Sequence, residues 1–244
     1  MTRPVLLVAG GSRGIGAAIS KLAGARGYDV AVNYKGNEKA AQEVVAAVNA
    51  AGGQALAIKG DMAKSAEIER VFEQAAKLGA LTHFVHSSGI TGAPSRLDGV
   101  SEQTVRDVLD VNTFGAIWSL REAIKRMSTR NGGKGGSVVM ISSMAATLGG
   151  TGEYTWYAAA KAAVNTLVVG VAREVAKEGV RINALSPGLI ATDIHEPGRL
   201  DRVAPTVPVG RAGQPEEVAE TVLYLLSDAA SYMTGAVVNV SGGR

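Results

Sequence analysis

Within "SSMAATLGGTGEYTWYAAAK", residues 142–161, Tyr157 and Lys161 stand four positions apart. On a helix, positions i and i+4 share a face. An ammonium beside a phenol favours phenolate and draws its pKa down from about 10 toward neutral pH. A phenol tuned in this way serves as a general acid or base. Tyr154 precedes Tyr157 by three positions and Lys161 by seven. It lies two turns from the lysine and out of its direct reach. Ser142 and Ser143 come before both tyrosines. In extended chain, adjacent residues face opposite ways, so only one of the two serines should reach a pocket. A hydroxyl there can donate to the oxygen that Tyr157 protonates. Taken alone, a Tyr and a Lys at helical spacing are more often a structural pair. The stretch also reads as a Gly-rich loop running into an Ala-rich core helix.

Such groups need a frame. "PVLLVAG" (4–10), "DVAVNY" (29–34), "QALAIKG" (54–60), "LTHFVHSSG" (81–89), "GSVVMISS" (136–143), "VRINALSPG" (180–188) and "GAVVNVSGG" (235–243) read as strands. The first is a continuous apolar run, as in a strand buried on both faces. Helical patterns separate them, at about 15–26, 37–52, 64–79, 102–130, 154–178 and 214–228. Gly52 and Gly53 stop the second helix, and Pro215, Glu216 and Glu217 open the last. This alternation predicts one α/β domain over 1–244, a seven-stranded parallel sheet with helices on both faces. In such sheets the ligand lies beyond the carboxyl ends of the strands, here near residues 10, 34, 60, 87, 142 and 186.

The first exit reads "AGGSRGIG" (9–16), with Gly10, Gly14 and Gly16. Gly10 permits a tight turn, and Gly14 lets the backbone approach a pyrophosphate. Gly16 lets the first helix pack close to the sheet, while the helix N-terminus supplies free amides. The spacing differs from the commonest dinucleotide fingerprint, and a plain Gly-rich turn is the alternative. At the second exit, "VNYKGNE" has no acid at the strand end of the kind that usually binds NAD ribose hydroxyls. Arg13 and Lys35 suit a 2′-phosphate instead, so NADP is expected over NAD. At the third exit, Asp61 can accept from an adenine amino group or cap the following helix.

Bulk composition narrows the partners. Hydrophobic residues make up 46% and charged residues 19%, which fits a globular chain and not a disordered one. The net charge of +3 is spread along the sequence. The one basic cluster, "KRMSTRNGGKGG" (125–136), reads as a helix end and solvated loop, so no nucleic-acid partner is expected. Cysteine is absent, which excludes disulfides and thiolate metal sites. No metal is expected, because no cluster has ligand spacing. No apolar stretch is long enough to span a membrane. The N-terminal run reads as a first strand, not a signal peptide, and the protein is expected in the cytoplasm.

Taken together, "GGSRGIG", "VNTFG", "ISS", "YAAAK" and "SPGLIATD" resemble the short-chain dehydrogenase/reductase family along essentially the whole chain. The resemblance is greatest to its bacterial 3-oxoacyl-carrier-protein reductases and its sugar or polyol dehydrogenases. It implies a Rossmann-type doubly wound domain that moves a hydride between a nicotinamide and a carbonyl or secondary alcohol. By that resemblance Tyr157 is the general acid or base, and Lys161 holds the nicotinamide ribose and lowers the tyrosine pKa. Ser143 orients the substrate carbonyl, and Asn112 links the lysine to solvent through a water. The cofactor would be lined by Gly10, Ser12, Arg13, Gly14, Ile15, Gly16, Asn33, Tyr34, Lys35, Asp61, Met62, Ser88, Gly89, Pro187, Gly188, Ile190 and Thr192, together with Tyr157 and Lys161.

One motif departs. "HSSG" (86–89) stands where the family usually has Asn-Asn-Ala-Gly. His86 must replace a supporting amide or leave a gap, and its two nitrogens permit the replacement. A second catalytic base at His86 is the lesser reading. His195 reads as a surface residue. The region at about 190–212 is expected to close over substrate, with Asp193, Glu196, Arg199, Asp201 and Arg202 making it polar. Tyr154 and Trp156 are placed to shape the pocket. A sugar or small keto compound and a 3-oxoacyl thioester both fit, and Arg126 and Arg130 could meet an acyl carrier protein. The resemblance implies a homotetramer, with the helices near 102–130 and 154–178 at one interface and the last strand at another. A non-enzymatic nucleotide-sensing regulator is the reading from another class; it should lack one of the four groups Asn112, Ser143, Tyr157 and Lys161.

Overall fold

Every residue of Val5–Ala9 is buried, and this run forms β1 near the centre of one sheet. The protein is described over residues 3–244 by a computed structural model. The other strands are β2 (Asp29–Tyr34), β3 (Ala55–Lys59), β4 (Leu81–His86), β5 (Gly136–Ile141), β6 (Val180–Pro187) and β7 (Val237–Val240). All pair in parallel, in the order β3-β2-β1-β4-β5-β6-β7. The predicted doubly wound, seven-stranded α/β domain is the fold observed.

Strand alternation assigns the two cores. Leu6 and Val8 of β1 face one way, with α1 (Gly14–Ala25), α2 (Glu38–Ala50) and residues of the last helix. Val5, Leu7 and Ala9 face the other way. There they meet α3 (Ser65–Ala75) and α5 (Gly115–Met127), the latter preceded by α4 (Glu102–Leu109). After α6 (Ala145–Leu148), α7 (Thr155–Val175) completes that second layer. The short α8 (Arg199–Val203) follows β6, and α9 (Pro215–Leu226) closes the first layer.

The sequence pattern predicts one helix over 102–130. The structure instead inserts a π-turn, Asp110–Phe114, between α4 and α5, and the helix stops at Met127 because Ser128 is extended. Such turns carry one extra residue inside an otherwise regular helix and gather at functional positions. Asn112 lies within this one. From β1 the chain winds outward to β3, then returns to place β4 on the other side of β1. The two exits diverge at that point and leave a crevice. Among the described residues, no helix is long and apolar enough to cross a membrane.

Candidate active site

The exits of β1 to β6 open into one cleft of about 830 Å³. Every sequence-predicted site residue lines it except Gly16 and Asn112, which stand directly behind its wall. At Gly10, φ is +71° and an added Cβ would lie 2.9 Å from the Ser88 backbone, so the β1 and β4 exits touch there. At Gly16, a Cβ would lie 2.1 Å from the Gly10 carbonyl oxygen, which brings the helix start onto the turn. No side chain caps α1 at Arg13. The first amides of α1 are thus directed at the cleft with the positive end of the helix dipole. A narrow glycine cradle at an uncapped helix start, in a long cleft, fits a dinucleotide pyrophosphate.

Both expected phosphate ligands are paired with acids. Arg13 Nη1 lies 2.5 Å from Asp193 Oδ2, and Lys35 Nζ lies 2.8 Å from Asp61 Oδ2. The Ala63 amide donates to Asp61 Oδ1 at 3.0 Å, closing a turn ahead of α3, whose N-cap is Lys64. Burial alone would raise the Asp61 carboxyl. The hydrogen bonds from Lys35 and Ala63 outweigh it and hold the group below its usual value. Asn33 is committed to the backbone. Its Oδ1 accepts from the Gly10 amide at 3.1 Å, and its Nδ2 donates to the Ile58 and Gly60 carbonyls at 3.2 and 3.0 Å. It therefore binds the first and third exits together.

The two serines separate as alternation requires. Ser142 is buried and donates to the Lys161 carbonyl at 3.1 Å. Ser143 turns into the cleft beside the Tyr157 hydroxyl and accepts from the Ala145 amide at 3.1 Å. Lys161 is 3% exposed and its Nζ donates to the Ile141 carbonyl at 2.9 Å, 5.8 Å from the Tyr157 ring centre. Burial lowers the lysine pKa to about 8. Burial also raises Tyr157, and the Ser143 hydroxyl only partly offsets this. The net shift of the phenol is upward, against the expectation from spacing. The reason is geometric: the ammonium is directed at a β5 carbonyl, not at the phenol oxygen. Tyr157 is consequently a neutral proton donor in this geometry.

Asn112 fastens the loop after β4. Its Nδ2 donates to the Ile90 and Val108 carbonyls, both at 2.8 Å, and its Oδ1 accepts from the Ile90 amide at 3.3 Å. A Cβ on Gly89 would lie 2.7 Å from that Oδ1 and 3.4 Å from Lys161 Nζ. Only glycine fits between the asparagine and the lysine.

His86 does not replace the missing amide through hydrogen bonds, for neither ring nitrogen has a protein partner. Burial, and then the Lys161 charge, depress its pKa to about 3. It is neutral, which removes it as a base near pH 7. His83 is depressed to about 4, mainly by burial. Both imidazoles are neutral when folded and gain a proton once unfolded below about pH 6.5. The unfolded chain then binds more protons, so stability falls as pH drops from 6.5 toward the folded values. Each should cost roughly 2.5 kcal/mol by pH 4.5. Urea midpoints measured across pH 7 to 4.5 should fall accordingly, and His86→Asn should flatten the profile. An unchanged profile in that variant would contradict a depressed His86.

The substrate end differs from expectation in three places. Trp156 does not shape the cleft: its indole donates to the Thr91 carbonyl at 2.8 Å and packs against Val108 of α4. His195 is half-buried in the cleft wall, not on the surface. Arg126, at the end of α5, and Arg130, in the turn just after it, lie next to the start of β5, the edge opposite the cleft, and Arg126 is paired with Glu122. Tyr154 does form part of the wall. The Arg199 guanidinium sits 5.1 Å over its ring and pairs with Glu153. Arg202 joins this cluster, 3.6 Å from Glu153 and 2.9 Å from Glu196. Glu153 and Arg244 are cleft residues that sequence reasoning missed. The only signal for Glu153 was its place beside Tyr154.

A family described as enoyl-(acyl carrier protein) reductase matches residues 9–244. An uncharacterized oxidoreductase of Escherichia coli, YgfF, is 42% identical over 98% of this chain and 99% of its own length. A 3-oxoacyl-[acyl-carrier-protein] reductase of Synechocystis is 36% identical over 100% of this chain and 97% of its own. Among solved structures, a short-chain dehydrogenase/reductase from Serratia marcescens superposes with a TM-score of 0.91 at 32% identity, covering 98% of this chain and 97% of that one.

Proposed function

Because the chain belongs to the short-chain dehydrogenase/reductase family of nicotinamide-dependent oxidoreductases, we propose that it is an NADP-dependent reductase of a ketone carbonyl. One observation carries this reading. The Ser143 and Tyr157 hydroxyls meet in the cleft that also holds the glycine cradle. A nicotinamide held in the cleft would supply the hydride for the carbonyl carbon. Ser143 donates a hydrogen bond to the carbonyl oxygen, where negative charge grows. Tyr157 gives its phenolic proton to the same oxygen. The upward shift of Tyr157 keeps it protonated, which is the form that reduction consumes. Lys161, with its ammonium anchored on the Ile141 carbonyl, would hold the nicotinamide ribose. Asn112 fixes the loop against which the lysine packs. Two hydroxyl donors on one oxygen suit a C=O bond better than the C=C bond in the matching family's description.

A 3-oxoacyl thioester carried by an acyl carrier protein is the first substrate class, supported by the whole-length match to a reductase of that name. A compact polar ketone, as in a sugar or polyol pair, is the second, supported by the Glu153–Arg199 pair beside Tyr154. A panel of both classes with NADPH and NADH, followed by nicotinamide absorbance, separates them. Exposed Leu109, Phe114 and Ile117, on α4, the π-turn and α5, support the homotetramer.

NADPH should exceed NADH in kcat/KM by about ten-fold or more, since a 2′-phosphate gains charge-assisted bonds from Arg13 and Lys35. The double variant Arg13→Gln, Lys35→Gln should erase most of that preference. Equal rates with the two cofactors in the unaltered protein would sink the NADP assignment.

A further inference from the structure

We infer that Asp193 sets the strength of cofactor discrimination, by holding Arg13 in competition with a 2′-phosphate. The inference rests on the NADP reading above and goes beyond it in naming an acidic residue on the opposite wall of the cleft.

Arg13 belongs to the turn between β1 and α1, and Asp193 to the loop after β6. They are 180 positions apart in sequence, yet their side chains meet at 2.5 Å. Both line the cleft, so the pair spans it from wall to wall. The two segments also touch beneath the pair. A Cβ on Gly14 would lie 3.2 Å from Thr192 Cγ2 and 3.9 Å from Asp193 Oδ1. The contact is therefore supported by the packing of the Thr192 side chain on Gly14 as well as by charge. Lys35, the other phosphate-directed cation, is paired with Asp61 at 2.8 Å. A 2′-phosphate would therefore compete with a carboxylate for each cation.

The two pairs differ in kind. Asp61 is half-buried and also held by the Ala63 amide. Asp193 is exposed, with Arg13 as its ion-pair partner among the described residues. The Arg13 pair is the one that can open without breaking other bonds. Exposed ion pairs of this type are worth up to about 1 kcal/mol, equivalent to roughly five-fold in affinity. Removing the Asp193 charge should help any anionic cofactor somewhat, because both forms carry a pyrophosphate. Only the form with the 2′-phosphate also gains a freed Arg13.

The experiment is a set of dissociation constants for NADPH and NADH, measured by fluorescence titration of the full chain. Asp193→Asn should tighten NADPH more than NADH and shift their ratio by about two- to five-fold. Asp193→Glu keeps the charge and should leave the ratio near that of the unaltered protein. In an Arg13→Gln background the effect of Asp193→Asn on the ratio should vanish, as a pairwise interaction requires. A parallel change for both cofactors, or a shift that persists without Arg13, overturns the inference. These failures are distinct from failure of the NADP reading. In that case the unaltered protein binds NADPH no better than NADH, and Arg13→Gln leaves the ratio alone.

Discussion

Tyr157→Phe is expected to lower kcat/KM by about a thousand-fold while leaving NADPH affinity nearly unchanged, because it deletes one proton donor and almost no volume. The ring stays in place against the first turn of α7, and the fold loses only one hydroxyl. The Ser143 hydroxyl remains in the cleft, still bonded to the Ala145 amide. It can polarise a carbonyl but has no basic partner from which to replace a proton. The remaining rate should therefore reflect hydride delivery without proton transfer. Steady-state rates on the best substrate of the panel, with a parallel cofactor titration, provide the measurement. Turnover within ten-fold of the unaltered protein would show that the proton comes from elsewhere. A loss of cofactor binding equal to the loss of rate would assign Tyr157 a binding role only.

Gly16→Ala is expected to weaken NADPH binding by about a hundred-fold, since displacing catalytic geometry by an ångström carries penalties of that size. The added Cβ would lie 2.1 Å from the Gly10 carbonyl oxygen and 2.9 Å from its carbonyl carbon. Both are backbone atoms in the middle of the turn, so no side chain can rotate away. Either α1 shifts outward or Gly10 leaves its left-handed conformation. Each change spoils the cradle and moves the first amides of α1. Overpacking of this kind also costs about 1–3 kcal/mol of stability. A thermal melt and a cofactor titration on the same sample distinguish the two effects. Cofactor binding at the unaltered level would mean that the turn does not hold the pyrophosphate.

Much of this was legible in the sequence because it depends on short-range rules. The alternation of strand and helix predicted seven parallel strands, and strand alternation separated Ser142 from Ser143. Spacing placed Lys161 one turn from Tyr157. Other features depend on contacts between distant residues. The π-turn at Asp110–Phe114 keeps the apolar pattern of a helix on both sides, so periodicity passes over it. The Arg13–Asp193 and Glu153–Arg199 pairs join segments 180 and 46 positions apart. Trp156 is one residue from Tyr157, yet a helix turns adjacent positions by about 100°, and it faces α4. The direction of the Tyr157 shift was misread for a related reason. Spacing brings the lysine near the phenol, but the Ile141 carbonyl decides where the ammonium is directed.

The buried lysine also bears on how this protein could change under selection. In water its amine titrates near 10.5, and in the fold near 8. At neutral pH the folded chain thus keeps an ammonium where burial opposes one, at a cost on the order of 3 kcal/mol. A methionine there would have similar length and no such penalty. Selection for heat resistance alone would favour that replacement and discard the role proposed for the lysine. Position 161 therefore marks a conflict between durability and the proposed turnover.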